Sequence, residues 1–146
     1  PRGYGAARSD ANVRVMSVPV PVEDLRDTAA RYGPAPFLLT TSDDGRPHAT
    51  HVVVAIEGAE LSCELGRRTA RNGLARPAVS LLWAPIEAGG YSLIVDGDIA
   101  VAGDPESGAT GTITATRAVL HRPAPVDEAS ADASCGSDCL EIEIDR

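Results

Sequence analysis

Lysine is absent from this chain; all 13 Lys+Arg positions are arginine. Every side-chain cation is therefore Arg or His, a bias that a GC-rich gene would also produce. Aromatics are scarce at 3%, so the core must rest on Val, Leu, Ile and Ala. No apolar run approaches the roughly 20 residues needed to span a bilayer. No apolar stretch followed by a small-residue cleavage site stands near the N-terminus, so no signal peptide is expected and a cytoplasmic location is the default expectation. Only three cysteines occur (Cys63, Cys135, Cys139), an odd and sparse set that does not read as a secreted disulfide framework. Positive charge is also in deficit: the net charge is −8, which argues against nonspecific nucleic-acid binding, because that needs phosphate-neutralising cations.

What is present suits one ordinary domain. The 146 residues are 43% apolar, enough for a real core without metal or disulfide staples. The charge is uneven. From Val126 to Arg146, seven acids against Arg146 alone carry −6 of the −8. Between Gly66 and Arg76 the reverse holds, with Arg67, Arg68, Arg71 and Arg76 and no acid. A local basic cluster in an acidic protein points to a specific anion site.

The chain divides into a leader or appended sequence over 1–15, expected to be flexible, and a single domain over 16–146. Within that domain, the acidic Ala/Ser-rich stretch 126–138 is expected to be mobile. Val22 to Tyr32 reads as a short helix, with Pro21 at its start, Glu23 and Asp24 in its first turn, and Gly33-Pro34 ending it. Leu25, Ala29 and Tyr32 share one of its faces. Then the period changes to two. Phe37 to Thr41 is a strand, Ser42-Asp43-Asp44-Gly45 a hairpin-type turn, and His48 to Ile56 a long strand. In that long strand Thr50, Val52, Val54 and Ile56 share one face, and Ala49, His51, Val53 and Ala55 the other. Leu61 to Leu65 is the next strand, Thr69 to Arg76 a short helix ended by Pro77, and Val79 to Trp83 a buried strand. Tyr91 to Ala102 is a long strand in which Gly97 suggests a bulge or barrel corner. Asp104 to Gly111 reads as a polar loop, Thr112 to His121 as a strand, and Leu140 to Ile144 as a short final one. About six or seven strands with short connections and one or two helices predict a mainly β, Greek-key type split β-barrel. No dinucleotide fingerprint or P-loop is present.

The informative stretch is Glu64-Leu65-Gly66-Arg67-Arg68-Thr69-Ala70-Arg71-Asn72. A strand leads in and a helix leaves, so unpaired backbone N–H groups and a positive dipole end face whatever binds there. Thr69 can cap the helix and donate its hydroxyl; the arginines supply planar donors matched to phosphate; Gly66 allows close backbone approach. The residues alone leave two readings open: a phosphate cradle, or an arginine-rich solvated helix start with an ordinary cap.

The run from Phe37 to Trp83 (FLLTTSDDGRPHATHVVV, ELSCEL, GRRTARNGLARPAVSLLW) resembles the N-terminal part of the pyridoxamine 5'-phosphate oxidase-like FMN-binding family. Gly45-Arg46-Pro47 matches its G-x-P strand, Thr69-Ala70-Arg71 its Ser/Thr-x-Lys/Arg phosphate triplet, and Pro77-Ala78-Val79-Ser80-Leu81 the strand that follows. YSLIVDGDIAVAG and ATRAVLHRP resemble its central and closing strands, so the likeness spans about residues 22–125. The resemblance implies a homodimer with FMN at the subunit interface and an FMN-dependent oxidoreductase acting on a small molecule. By the same likeness, Thr50, His51, Val52 and Val53 line the isoalloxazine ring, Glu64 and Leu65 flank the ring or ribityl chain, and Arg67, Arg68, Thr69 and Arg71 hold the phosphate. Trp83 or Tyr91 would reach the ring from the partner subunit. The family's C-terminal W-x-x-x-R-L-H region is missing, so oxidation of pyridoxamine phosphate itself is not implied. The chain looks more like the small, diverse relatives, some of which use FMN, some a deazaflavin and some haem. The alternative is therefore a flavin, deazaflavin or haem carrier without turnover, or a barrel that has lost its cofactor.

The remaining candidates have plainer readings. His48 and His51 point to opposite faces of a strand and cannot share a metal, and no metal site is expected. His121 reads as an exposed strand-end residue, Cys63 as core, and Trp83 as core or interface. Cys135-Gly-Ser-Asp-Cys139 could close a disulfide if the chain turns there, but a CxxxC pair alone is not a zinc site. No triad or carboxylate pair can be argued, which suits chemistry carried by a cofactor.

Overall fold

The period-two segments pair into one antiparallel sheet whose two edges are joined by three residues. The computed structural model describes residues 17–123. The leader 1–15, the acidic stretch 126–138, the expected strand Leu140–Ile144 and the Cys135–Cys139 pair lie outside the described residues. The strands are β1 (Ser17–Pro19), β2 (Phe37–Thr41), β3 (Pro47–His51), β4 (Ala55–Glu57), β5 (Glu60–Leu65), β6 (Ala78–Trp83), β7 (Ser92–Asp104) and β8 (Gly108–His121), with helices α1 (Val22–Ala30) and α2 (Arg67–Ala75). The sheet order is β3-β2-β6-β7-β8-β5-β4, and β1 also pairs with β8. Among the described residues, mainly β architecture with two short helices fits the split-barrel expectation, with eight strands rather than six or seven.

Two differences explain the count: β1 (Ser17–Pro19) is a strand that the sequence reading lacked, and one expected strand is split. The single long strand expected over His48–Ile56 is two strands, β3 and β4, at opposite edges of the sheet. The alternation itself survives the break: Val52 and Val54 are buried while His51, Val53 and Ala55 are exposed. Between the two strands, the N–H groups of Val52 and Val54 donate to the carbonyls of Pro36 and Pro34 at 3.1 and 2.9 Å. Proline has no N–H to return the bond, so the pairing there is one-way and the ladder stops. Because β3 and β4 are sequence neighbours at opposite edges, the sheet must curl to bring those edges together. Among the described residues it does not close fully: β4 pairs with β5 only over Glu60–Ser62, and β3 pairs only with β2.

The core fills the inside of this curl. Leu25, Leu38, Leu61, Leu81, Leu93 and Ile113 are fully buried, and each such side chain contributes about 1.5–3 kcal/mol of burial free energy. Leu25 and Ala29 press α1 onto the barrel, on the face the sequence predicted. Trp83 is buried, and its indole N–H donates to the Gly33 carbonyl at 2.9 Å. That burial corrects the expectation that Trp83 could reach a ring in a partner subunit, since it has no free face.

Gly97 sits at the expected irregularity. The β7–β8 register shifts between Asp96 and Gly97, leaving Thr116 as the extra residue. The loop expected over Asp104–Gly111 is shorter than that, because β8 already starts at Gly108. The Asp104 carboxylate takes the Glu106 N–H at 3.1 Å and the Ser107 hydroxyl at 3.0 Å, so the turn closes within a few residues.

Candidate functional site

The incomplete closure of the barrel creates a fork. Past Ala55–Ser62 the chain at Val52–Val54 leaves β5 and bonds to Pro34 and Pro36 instead. The second half of β5, Cys63 to Leu65, then has β8 on one side and no strand partner on the other among the described residues. A depression of about 350 Å³ opens there, lined by Val53, Val54, Ala55, Ser62, Cys63, Glu64 and Thr110. Val53, which the family resemblance puts at the cofactor ring, and Glu64, which it puts at the ring or ribityl chain, meet across one opening. Val52 and Leu65 do not offer side chains to it, since both point into the core. Thr50 is half-buried on the inner side of β3. His51 lies on the outer side, where its ring stacks on Phe37 with centroids 4.1 Å apart.

β5 ends at Leu65, and one residue later α2 begins. Here the structure corrects a local assignment. The helix starts at Arg67, two residues earlier than the expected Thr69, and Gly66 is its cap. Gly66 can hold the extended cap conformation while its carbonyl accepts the Ala70 N–H at 2.9 Å. Thr69 is therefore inside the first turn, buried, with Oγ1 3.4 Å from His48 Nε2. No side chain caps the helix and no acid lies in its first turn, so its leading N–H groups keep their capacity for an anion. The helix ends where Pro77 forces Arg76 out of helical geometry.

The helix winds its arginines onto two sides. Arg68 donates to Ser42 Oγ at 3.1 Å and, with Arg71, Asn72 and residues Ser42–Asp44, lines a depression of about 410 Å³. Arg67 and Arg71, one turn apart, both reach the carboxylate of Glu106, Arg67 Nε at 3.8 Å and Arg71 in direct contact. Neither Ser42 nor Glu106 is legible in the sequence as a site residue. Ser42 reads as part of a turn, and Glu106 sits 35 or more residues further along the chain, on the β7–β8 hairpin.

Polar anchors hold α2 in place. Asn72 Nδ2 donates to Thr40 Oγ1 at 3.0 Å in a buried pair, and Arg76 Nε donates to the Thr41 carbonyl at 2.8 Å. The other candidates take structural roles. Cys63 is buried, and that burial pushes its thiol pKa up. His121 Nδ1 lies 2.9 Å from Ser17 Oγ. Tyr91 accepts the Tyr32 hydroxyl on its carbonyl at 2.9 Å and carries Arg122 over its ring at 4.6 Å. No group of three or more potential metal ligands occurs among the described residues. No described helix is long and apolar enough to cross a membrane.

Known proteins share this fold. A putative pyridoxamine 5'-phosphate oxidase of Listeria innocua superposes with a TM-score of 0.54 at 16% identity, over 66% of this chain and 97% of that one. The chain has the fold of the pyridoxamine 5'-phosphate oxidase-like proteins. A FAD-binding protein of Mesorhizobium loti shares the split barrel with a TM-score of 0.58 at 13% identity, over 75% of this chain and 98% of that one. So does HutZ, a haem storage protein of Vibrio cholerae, with a TM-score of 0.55 at 12% identity, over 70% and 96%. One of these two structures is thus of a FAD-binding protein and the other of a haem storage protein. Sequence kinship is closer to proteins of Mycobacterium bovis and Mycobacterium tuberculosis, both described as uncharacterized. Each is 33% identical over 135 residues, covering 83% of this chain and 95% of the relative. The chain belongs to one family with them. No protein-family model matches it.

Proposed function

We propose that this protein is an FMN-dependent oxidoreductase that works as a homodimer. The observation that carries the reading is the start of α2: Arg67 and Arg68 in the first turn and Arg71 one turn on, no acid in that turn, a glycine cap and uncapped N–H groups, standing at the end of the fork between Val53 and Glu64. A phosphate monoester carries about −1.5 to −2 charge at neutral pH and three acceptor oxygens, which this turn complements. In this reading, Arg68, with Arg67 and Arg71, grips the phosphate, while Thr69 and His48 line the floor beneath. Val53 and the backbone of Glu64 border the ring. When bound, the isoalloxazine supplies the hydride chemistry, and no side chain acts as an essential acid or base.

The open side of the fork supports a second copy. Val53 is 68% exposed, and the stacked Phe37–His51 pair lies on the same outer side of the sheet. A partner subunit seated on this apolar surface would exclude water from the fork.

The purified protein's visible spectrum is the first test. Flavin bands, or uptake of added FMN with quenching of its fluorescence, are expected. Arg68→Ala and Arg71→Ala should each weaken FMN by about tenfold or more, the usual worth of hydrogen bonds to a charged group. NADH or NADPH should bleach the bound flavin, and an acceptor should restore it. A colourless protein that takes up no flavin, or a Soret band in its place, would overturn the proposal.

A further inference from the structure

Two arginines of the cradle are already committed to a carboxylate of the same chain. Arg67 and Arg71 lie at i and i+4 on α2, so both face one direction, and both meet the Glu106 carboxylate. Glu106 arrives from the tip of the β7–β8 hairpin, far from the helix in sequence but beside its first turn in space. The hairpin does not need this contact to keep its shape. Asp104 ties the turn internally through the Glu106 N–H and the Ser107 hydroxyl, and β7 and β8 pair in register from Gly103↔Ala109 upward. The Glu106 side chain is therefore free to leave the arginines without the turn unfolding. It is also half exposed, and the Arg67 and Arg71 side chains are more exposed still, so water and ligand can reach all three.

We propose that Glu106 is a built-in competitor for the anion site, and that it sets how tightly the cradle takes a ligand phosphate. A phosphate approaching the first turn of α2 meets Arg68, which among the described residues is held by the neutral Ser42 hydroxyl. To gain Arg67 and Arg71 it must displace Glu106 or accept its negative charge as a neighbour. Either route lowers affinity below what three free arginines would give. The contest moves the carboxylate and leaves the cofactor's other contacts, at the fork, unaltered. The charged groups facing Arg67 and Arg71 in this exchange are Glu106 itself, Arg68 beside them, and Asp43 and Asp44 across the depression that Arg71 shares. Of these, Asp43 pairs with Arg76 and Asp44 with Arg46, and among the described residues Glu106 is the carboxylate paired with Arg67 and Arg71, so it is the one a ligand must displace to reach them.

This inference deepens the cofactor reading and rests on it only for the identity of the ligand. The test compares wild type with Glu106→Gln, which keeps the size of the side chain and removes its charge. FMN affinity, read by fluorescence quenching, should rise about fivefold in Glu106→Gln, the scale of exposed ion pairs. The gain should shrink as salt is raised from 0.02 to 0.5 M, values chosen to span a Debye length of about 20 Å down to about 4 Å. Equal or weaker binding by Glu106→Gln at low salt would overturn the proposal, the weaker result meaning that the carboxylate orients the arginines instead of opposing the ligand. A parallel titration with inorganic phosphate, followed by the NMR shifts of the Arg67 and Arg71 side-chain Nε–H groups, does not depend on flavin. If neither protein binds FMN but phosphate perturbs both arginines more readily in Glu106→Gln, the FMN assignment falls and the competitor role stands. If FMN binds both proteins equally and phosphate does not distinguish them, the competitor role falls and the FMN assignment stands.

Discussion

Gly97 and Thr114 approach so closely that a Cβ on the glycine would stand 2.4 Å from the threonine carbonyl oxygen. The obstacle is backbone, which cannot rotate aside, and Ile113 Cγ2 would be only 2.9 Å away on the same side. This contact lets β7 and β8 cross tightly at the bulge where the barrel bends. Gly97→Ala is expected to lower stability by about 1–3 kcal/mol, the usual cost of overpacking, measured by urea denaturation. A variant as stable as wild type would mean that the bulge can relax away from the contact.

The buried Asn72–Thr40 pair should matter for where α2 stands. Thr40→Val leaves the Asn72 amide without its acceptor in a dry site, a loss of about 1–3 kcal/mol. Removing both partners, as Asn72→Leu with Thr40→Val, should cost less than the sum of the single changes, because no polar group is then orphaned. Strict additivity in that double-mutant cycle would show that the two side chains do not depend on each other.

Cys63 should be slow to react. Burial holds its thiol pKa above the ordinary 9.0, so at pH 8 the native protein carries little thiolate there. Alkylation mapped by peptide mass should label Cys63 slowly in buffer and quickly in urea. The same shift has a sign for stability. A group raised in the folded state contributes fully below its unfolded value and loses that contribution as pH rises through the folded one. Stability should therefore fall above about pH 9, and Cys63→Val should flatten part of that fall. Tyr32, raised above 10.0 by burial against a smaller opposing effect of Arg31, adds to the same alkaline loss.

The proposed dimer can be tested at its most exposed apolar residue. Val53→Asp places a charge on the outer side of the fork without touching the core. It should shift the protein toward monomer in light scattering after size exclusion and weaken FMN together with it. A monomeric wild-type protein that binds FMN with full affinity would remove the second copy from the account.

The elements with an unbroken pattern are legible in the sequence itself. Phe37–Thr41 alternates and is bounded by turn residues, and it forms β2 with those limits. The helix after Pro21 is confined by Gly33-Pro34, and Gly97 marks the bend at which the register slips. Less is legible wherever hydrogen-bond partners are remote. His48 to Ile56 keeps one period throughout, so nothing local marks the point where its partner changes from β2 to β5. The start of α2 lies at Arg67 instead of Thr69 because a glycine in extended geometry serves as cap, a role that side-chain chemistry does not advertise.

Local chemistry alone determined that this chain alternates like a barrel and gathers its arginines at a strand-to-helix junction, because period and charge are properties of neighbours in sequence. Which of those arginines stay open to a ligand was decided only in three dimensions. The β7–β8 hairpin carries Glu106 to Arg67 and Arg71, the β2–β3 turn carries Ser42 to Arg68, and the one-way bonding at Pro34 and Pro36 opens the fork beside them. Each of those meetings joins segments far apart along the chain, and such distances are set by the curl of the whole sheet.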